Sequence, residues 1–378
     1  MTSEFDCPVV NGKLISKALT YTSFWNLGIS NIAIPLNIKD DEILVRVKAV
    51  SINPIDILVQ RLSIFFIGSY RKVYGGDFAG IVIKSGLKSG YVNGDSVYGY
   101  RLAPLSFNGT YSQYIIINPK KTIFCDKIPN GIIYEQAASL SCVGATGYGI
   151  LKQGLTLNGT NKNISKDKDL KGLLKGKKIF ISGAGTSVGS YALQFAKKYM
   201  NADKVVVTCA ARSYNEIENL GADLIIDYTQ GNFQTINELL EYVKINGKFD
   251  IIIDCVRNEI FLDYLDLILK DKTANGAYCQ IYGSKSMKIL TCSLFSIILP
   301  SFHSIKFKIF QMFGLLKHNF YIYKLHYDST FGSVIKSMCK DDTLETPIDS
   351  IYRGWTDYDK AIQRVGSAKA SGKAVCIL

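Results

Sequence analysis

Residues 179–200, IFISGAGTSVGSYALQFAKKYM, carry the pattern that decides the fold of a large part of the chain. An apolar strand runs straight into Gly183, Gly185 and Gly189, and a helical stretch follows. The first glycine would permit a tight turn, the second would let a pyrophosphate approach the backbone, and the third would let the helix pack on the strand. Glycines so placed at a strand-to-helix junction predict a dinucleotide-binding loop. The loop residues predicted to contact the cofactor are Gly183, Gly185, Thr186, Ser187, Val188 and Gly189.

Strand-like and helix-like segments alternate after this loop. The strand-like segments are KVVVTC (204–209), DLIIDY (223–228), FDIIIDC (249–255) and GAYCQIYG (276–283), and the helix-like segments are YNEIENLGA (214–222) and NELLEYVKI (237–245). Such alternation predicts βαβ units and a parallel sheet, and the continuous apolar runs suit strands buried on both faces. The expected fold class is therefore α/β, with a Rossmann-type parallel sheet.

The sequence before the glycine loop has a different rhythm. Residues 42–53, EILVRVKAVSIN, alternate apolar and polar side chains as a half-buried strand does. From there to about residue 120, short strand-like runs are separated by glycines, which predicts a compact, mostly β domain. Residues 134–151 favour a helix, and the lysine-rich stretch 162–178 favours an exposed loop.

The end of the second strand of the predicted sheet indicates which cofactor is bound. NAD sites usually place Asp or Glu there, to hold a ribose hydroxyl. This chain has TCAARS at residues 208–213, and its next acid is Glu216. Arg212 and Ser213 instead offer a cation and a hydroxyl to a 2′-phosphate, which a guanidinium binds through two parallel hydrogen bonds. We therefore predict NADPH rather than NADH; the alternative is that Arg212 is a solvated cation at a helix start.

Six motifs in order resemble the zinc-independent branch of the medium-chain dehydrogenase/reductases, the quinone oxidoreductase and enone reductase group. They are SINPIDILVQR (51–61), GGDFAGIVI (75–83), NGDSVYG (93–99), EQAASLSCVGATGYGIL (135–151), ENLGADLIIDY (218–228) and GKAVCIL (372–378). The resemblance runs from about residue 40 to 285 and resumes near residue 347. The middle insertions resemble a fungal subgroup, some of whose members associate with lipid droplets or membranes.

The resemblance implies a Rossmann NADP-binding domain (146–346) inserted between the two parts (1–145 and 347–378) of a mostly β, GroES-like catalytic domain. It also implies a homodimer and roles for several residues. Asn53 would border the nicotinamide and the substrate, and would be the residue that positions the hydride acceptor. The implied cofactor contacts are Thr146, Val256 near the ribose, Tyr282, Gly283 and Ser284 facing the nicotinamide, and Lys373 from the C-terminal segment. For Thr146 and Val256, simple packing remains the alternative.

The zinc ligands of related alcohol dehydrogenases find no counterpart here. No cysteine occurs at residues 53–56, and Gly76-Asp77-Phe78 stands where zinc enzymes have Gly-His-Glu. The nine cysteines form no CxxC pair, and the three histidines, His303, His318 and His326, come late in the chain. We therefore predict that the protein binds no metal.

Without a metal, the easier reaction is reduction of an electron-poor acceptor, a quinone or an α,β-unsaturated carbonyl. Some relatives carry a possible donor tyrosine where this chain has Leu58. Either Tyr70 or Tyr74 substitutes for it, or turnover is weak. The second hypothesis for function is therefore a non-catalytic, NADP-binding protein that acts at a membrane or lipid-droplet surface.

The net charge of +12 is concentrated in two segments. Residues 152–178 carry eight lysines and two aspartates, and residues 286–327 carry five lysines and no acid. Neither segment resembles a nucleic-acid-binding module, so no nucleic-acid partner is expected. Residues 286–327 are also apolar, but Pro300 interrupts a run too short to span a bilayer. Two interpretations stay open: a lid and dimer interface with FYIYKLHY as an edge strand, or an amphipathic element on a lipid surface. The N-terminus resembles no signal peptide, which favours the cytoplasm.

Overall fold

This computed structural model describes residues 5–23, 26–62, 72–101, 109–158, 169–281 and 302–378. The described residues divide into two compact units. The first unit comprises residues 5–142 and 348–378, and the second comprises the described residues between them. The family resemblance places the boundaries between the two domains after residues 145 and 346.

The first unit is mostly β, as predicted. Its strands are β1 (Val9–Val10), β2 (Lys13–Tyr21), β3 (Leu27–Pro35), β4 (Ile43–Ile52), β5 (Asp77–Ser85), β6 (Ser96–Tyr100), β7 (Tyr114–Ile117), β8 (Phe124–Lys127), β15 (Ile348–Arg353) and β16 (Lys373–Ile377). Among the described residues, β1, β2 and β3 form one antiparallel sheet. The others form a seven-stranded sheet in the order β15-β16-β4-β5-β6-β8, with β7 also paired to β4. Helices α1 (Pro54–Leu62) and α9 (Tyr358–Gly366) belong to this unit, and α2 (Tyr134–Leu157) begins in it.

Strand β4 is the strand predicted from the alternating run at residues 42–53. It lies between β16 and β5 and also pairs with β7, which explains why most of its residues are buried. Its last residue, Ile52, leads directly into Asn53 and helix α1. The carboxyl end of a central strand therefore carries the residues of the Asn-Pro motif.

The second unit contains a parallel sheet, as predicted. Its strands are β9 (Lys178–Ser182), β10 (Lys204–Cys209), β11 (Leu224–Asp227), β12 (Ile251–Asp254), β13 (Ala277–Ile281) and β14 (Asn319–Tyr323). Their order is β11-β10-β9-β12-β13-β14, and every described pairing is parallel. The helices are α3 (Ser187–Gln194), α4 (Tyr214–Asn219), α5 (Asn232–Asn246), α6 (Leu265–Ile268), α7 (Phe302–Met312) and α8 (Phe331–Lys340). The order reverses between β9 and β12, the position where open α/β sheets bind ligands at the carboxyl ends of their strands.

Burial follows the sequence pattern in this unit. All four residues of β12 are buried, as expected for a strand covered on both faces. One difference concerns the helix after the glycine loop, which becomes a π-helical turn at Phe195–Tyr199. There the Met200 amide donates to the Phe195 carbonyl, five residues back, at 2.8 Å. Within the described residues, no helix has the length and apolar content needed to cross a bilayer.

Candidate functional site

The glycine loop of the second unit has the geometry that its sequence predicts. Gly183 follows β9 with a φ of +82°, a conformation that favours glycine, and its amide donates to Thr208 Oγ1 at 3.0 Å. A Cβ on Gly183 would collide with the side chain of Val256. The loop therefore makes its tight turn in a space that only glycine fits.

The start of helix α3 is fixed by Thr186. Its hydroxyl oxygen accepts a hydrogen bond from the Gly189 amide at 3.1 Å, and the hydroxyl donates to the Gly183 carbonyl at 2.8 Å. A Cβ on Gly189 would collide with that same carbonyl, so the helix approaches the strand as closely as glycine allows. Ser187 and Val188 begin the helix and are partly exposed. Their amides have no partner within the helix, which makes this end suited to an anionic group.

Ser213 lies directly beside this loop, and Arg212 is its neighbour in the sequence. They occupy a short 3-10 turn, Ala211–Ser213, that follows β10. A Cβ on Gly185 would lie 3.2 Å from Ser213 Oγ, so the serine borders the loop. Ser213 is buried, whereas Arg212 is exposed. The exposed guanidinium therefore stands next to the serine that contacts the glycine loop.

Asp227 is a neighbouring carboxylate that the sequence analysis did not consider. It ends β11 and pairs in register with Cys209, the last residue of β10. Its Oδ1 accepts from the amide and the hydroxyl of Thr229 at 2.9 and 2.7 Å. These bonds hold the pKa of Asp227 below its ordinary value. The carboxylate is thus ionised and engaged in its own turn.

Val256 is positioned by Asp254, another residue that the sequence did not single out. Asp254 is completely buried, and its Oδ1 accepts from the amides of Val256 and Asn258 at 3.1 and 3.2 Å. The Tyr278 hydroxyl donates to its Oδ2 at 2.8 Å. Burial raises the pKa of Asp254. Asp254 therefore fixes the turn that presses Val256 against Gly183.

In the first unit, a buried cluster gathers around Asp77. Its Oδ2 accepts from Ser51 Oγ at 2.7 Å, from Asn53 Nδ2 at 2.7 Å and from Lys373 Nζ at 3.1 Å. Its Oδ1 accepts from the Cys142 amide at 2.9 Å. Four donors therefore converge on one carboxylate that is shielded from water.

Lys373 is the cation of this cluster. Besides Asp77, its ammonium donates to Asn53 Oδ1 at 2.5 Å and to the Ile52 carbonyl at 3.3 Å. Its three hydrogens thus meet three oxygens, while the residue is only 2% exposed. The sequence analysis placed Lys373 beside the cofactor; the structure places its ammonium among Asn53, Asp77 and Ile52.

Asp56 is the second carboxyl group of the cluster. Its Oδ2 accepts from the amide and the side-chain Nδ2 of Asn53 at 2.8 and 3.2 Å. Burial, and next the charge of Asp77, raise the pKa of Asp56 from 3.8 to about 7. Both side-chain hydrogens of Asn53 thus point to carboxyl groups and its oxygen accepts from Lys373, so the amide is held rigidly inside the cluster.

The remaining predicted residues are scattered. Thr146 is partly buried in α2, and Leu58 is partly buried on α1. Tyr74 is buried, and its hydroxyl has no hydrogen-bond partner among the described residues. The predicted residues Tyr70, Tyr282, Gly283 and Ser284 lie outside the described residues.

Among the described residues, no three His, Cys, Asp or Glu side chains group in a way that could hold a metal ion. His318 packs with its ring nitrogens 2.8 Å from the Lys270 carbonyl and 2.8 Å from Asp266 Oδ1. His326 is exposed, and the side chain of His303 lies outside the described residues.

Part of the basic apolar segment lies among the described residues. Of the predicted edge strand FYIYKLHY, residues 320–323 lie in β14 at the edge of the described sheet, and residues 324–327 are not in a strand. On and just after helix α7, Phe307 and Leu316 pack on the core of the second unit. Met312, Phe313 and Leu315 are 76%, 66% and 65% exposed. The helix therefore offers an apolar surface to solvent.

Comparisons with known proteins agree with this architecture. Residues 39–129 match the family model of the alcohol dehydrogenase GroES-like domain, and residues 220–376 match that of the zinc-binding dehydrogenases. Protein YIM1 of Saccharomyces cerevisiae is 29% identical over 356 residues, which cover 89% of this chain and 90% of that protein. These matches confirm the predicted GroES-like and Rossmann-type fold.

Solved structures show the same fold. The quinone oxidoreductase of Coxiella burnetii superposes with a TM-score of 0.72 and 19% identity, over 96% of this chain and 99% of that one. A mycobacterial protein solved in complex with NADPH superposes with a TM-score of 0.69 and 16% identity, over 96% of this chain and 100% of that one.

Proposed function

This chain belongs to the medium-chain dehydrogenase/reductases, an oxidoreductase family that binds nicotinamide cofactors, and we propose that it reduces a quinone or an α,β-unsaturated carbonyl with NADPH and without zinc. The observation that carries the proposal is the glycine loop bordered by Ser213, with the exposed Arg212 beside it. This arrangement offers amides, a hydroxyl and a guanidinium to a phosphorylated dinucleotide.

The preference for NADPH depends on charge at the end of β10. A 2′-phosphate there would meet the Arg212 guanidinium, whereas an NAD site would offer a carboxylate to a ribose hydroxyl. Asp227 on the neighbouring strand is engaged by Thr229. The NADPH complex of the mycobacterial protein of the same fold supports this choice.

The proposed acceptor class is argued from the chemistry of hydride transfer without a metal ion. When bound, the nicotinamide would supply hydride. Reduction of a quinone or enone places negative charge on oxygen, where a proton from solvent suffices. Oxidation of an ordinary alcohol would need a group that withdraws the hydroxyl proton. The name of the Coxiella burnetii structure, a quinone oxidoreductase, agrees with an electron-poor acceptor.

Asn53 is the residue to which we assign the positioning of the acceptor, through the cluster that it holds together and not by a hydrogen bond of its own. Its amide is fixed by Asp56, Asp77 and Lys373, so it acts as a rigid part of the first unit. Replacing Asn53 with Ala should lower kcat while leaving NADPH affinity unchanged. An unchanged kcat would refute the assignment.

The deciding experiment is NADPH oxidation by the purified chain with a simple quinone, beside an NADH control. Turnover that prefers NADPH supports the reductase. A test with an α,β-unsaturated ketone then separates the two acceptor classes. If no acceptor of either class is reduced although NADPH binds, the proposed reaction is wrong.

The exposed apolar side chains on and after α7 favour a second candidate, an NADP-binding protein that docks on a membrane or lipid-droplet surface. Five lysines and no acid occur within residues 286–327, which suits an anionic lipid surface. Flotation with liposomes rich in an anionic phospholipid tests this. Phe313→Ser with Leu315→Ser should reduce co-flotation, whereas Leu87→Ser, which is 95% exposed in the first unit, should not. Absence of co-flotation of the wild-type chain removes this candidate.

A further inference from the structure

The matched family model is that of zinc-binding dehydrogenases, yet the buried polar cluster around Asp77 in the first unit already holds a cation, the Lys373 ammonium. Lys373 Nζ lies 3.1 Å from Asp77 Oδ2, with side chains 3% and 0% exposed. Its three acceptors, on Asp77, Asn53 and Ile52, are all oxygens. Such a set resembles the inner shell of a small cation.

The same oxygens are the ones that a metal ion would need. Asp77 Oδ2 is shared by the ammonium, Ser51 and Asn53, and Asp77 Oδ1 faces the Cys142 amide. A divalent ion would have to displace the Lys373 ammonium and reorient the hydrogen-bond donors that point at Asp77. Because the cluster is shielded from water, solvent would not screen the repulsion between the ion and the ammonium or between the ion and these donors.

The charges of the cluster also balance without a metal. Asp77 accepts hydrogen bonds from four donors, and one of these is the Lys373 ammonium, 3.1 Å from Oδ2. Asp56 accepts only on Oδ2 among the described residues, which leaves Oδ1 to carry a proton. Its raised pKa, about 7, agrees with a neutral acid below neutral pH. In that range one ammonium and one carboxylate leave the cluster neutral.

We propose that Lys373 is a permanent internal cation that occupies the oxygen ligands a metal ion would need, and thereby fixes Asn53 and Asp77 without zinc. Lys373 is therefore a positioning residue, because all three hydrogens of its ammonium form hydrogen bonds inside the cluster. The inference rests on the zinc-independent reaction of the proposed function and gives a structural reason for it, but its tests do not require catalytic turnover.

The first test is metal uptake by the wild-type chain. The purified protein is incubated with excess zinc chloride, desalted and analysed by elemental mass spectrometry. We expect far less than one zinc per chain, and no change in melting temperature. One firmly held zinc per chain that Asp77→Asn removes would overturn the proposal.

The second test separates charge from packing. Trp355 packs against the core of the first unit, so its fluorescence follows the unfolding of this unit. Lys373→Met should lower that melting temperature by roughly 10 °C, because it leaves a buried carboxylate unpaired. Adding Asp77→Asn to Lys373→Met should recover at least half of this loss, since both charges are then gone. A double variant no more stable than Lys373→Met would contradict the proposal.

The third test is chemical rescue. Lys373→Ala leaves room for a small amine, so methylammonium chloride should raise its melting temperature, and tetramethylammonium chloride at equal ionic strength should not. The matched control is Lys360→Ala, whose partner Asp357 is on the surface of the same unit. It should respond to neither salt. Equal responses of Lys373→Ala to both salts would overturn the idea of an internal cation. If Lys373→Ala does not fold, the zinc test and the double variant still decide.

Discussion

At the scale of single residues, the surroundings of each ionisable group decide its charge. Asp56 and Asp77 lie in one cluster, but Asp77 accepts four hydrogen bonds and Asp56 accepts two. Burial and the charge of Asp77 raise the pKa of Asp56 to about 7, so its proton is lost only near neutrality. Burial and the neighbouring carboxyl group of Asp77 therefore keep a proton on Asp56 until the pH approaches neutrality.

The pKa of Asp56 makes stability depend on pH. Between about pH 4 and 7 the folded chain keeps a proton that the unfolded chain has lost, so the free energy of unfolding falls as pH rises through this window. Asp56→Asn removes this titration. When the pH is raised from 5 to 8, the free energy of unfolding of this variant should therefore increase by about 2 kcal/mol relative to that of the wild type. Urea unfolding followed by tryptophan fluorescence measures the difference.

Asp41→Asn is the control for this pH dependence. The Asn118 side chain holds the pKa of Asp41 below its ordinary value, so Asp41 titrates below the window. Its replacement should shift stability equally at both pH values. A gain for Asp56→Asn that is the same at pH 5 and pH 8 would show that Asp56 is ionised throughout.

Arg212 should select the cofactor through its guanidinium. Arg212→Ala removes a charge-assisted hydrogen-bond donor and should weaken NADPH binding by about 10- to 100-fold, with little effect on NADH. Dissociation constants for both cofactors from fluorescence titration measure this. Lys204→Ala removes a cation from the opposite end of the same strand, β10, and should alter neither constant. Equal losses for the two cofactors would remove the NADPH assignment.

At the scale of elements, the strand-loop-helix unit of β9 and α3 depends on close backbone contact. Thr186 caps the helix, and Gly189 lies against the Gly183 carbonyl without room for a Cβ. The helix start and the turn thus hold each other in place. A ligand that binds the loop depends on both.

Gly189→Ala should therefore disturb this unit. The added methyl group would push α3 away from β9, and we expect a loss of about 1–3 kcal/mol in the free energy of unfolding with weaker NADPH binding. Ser190→Ala, one residue further along the helix, removes only a hydroxyl and serves as the control. Calorimetry and NADPH titration of both variants measure the effects. Equal NADPH affinity in the two variants would mean that the loop does not bind the dinucleotide.

At the scale of the whole molecule, the two ends of the chain build one unit. Strand β16 pairs with β15 on one side and with β4 on the other. It also delivers Lys373 to Asp77, which lies 296 residues earlier in the sequence. The first unit is complete only after the last strand has been added.

A charge placed in this last strand should therefore unfold the first unit. Val375 is fully buried, whereas its register partner Ile351 on β15 is 45% exposed. Val375→Asp should cost at least about 4 kcal/mol, and Ile351→Asp no more than about 1 kcal/mol. Urea unfolding monitored by tryptophan fluorescence measures both. Similar losses would show that β16 is peripheral to the unit.

The sequence alone determined the features that depend on local pattern. Alternation predicted β4, continuous apolar runs predicted the parallel strands, and glycines at a strand end predicted the turn at Gly183 and the contact at Gly189. These predictions are confirmed because each depends on only a few neighbouring residues. Side chains in a strand alternate between its two faces, and glycine, which lacks a Cβ, permits turns and close contacts that other residues do not. The division of the first unit into two parts of the sequence was implied by the family resemblance.

Only the tertiary structure decided how distant polar residues combine. It placed Lys373 against Asp77, brought the Tyr278 hydroxyl to Asp254, and set Asp227 in register with Cys209. No local pattern predicts these contacts, since each joins residues from separate strands. The protonation of Asp56 likewise depends on a charge 21 positions away in sequence that is close only after folding, because burial removes the water that would otherwise screen it.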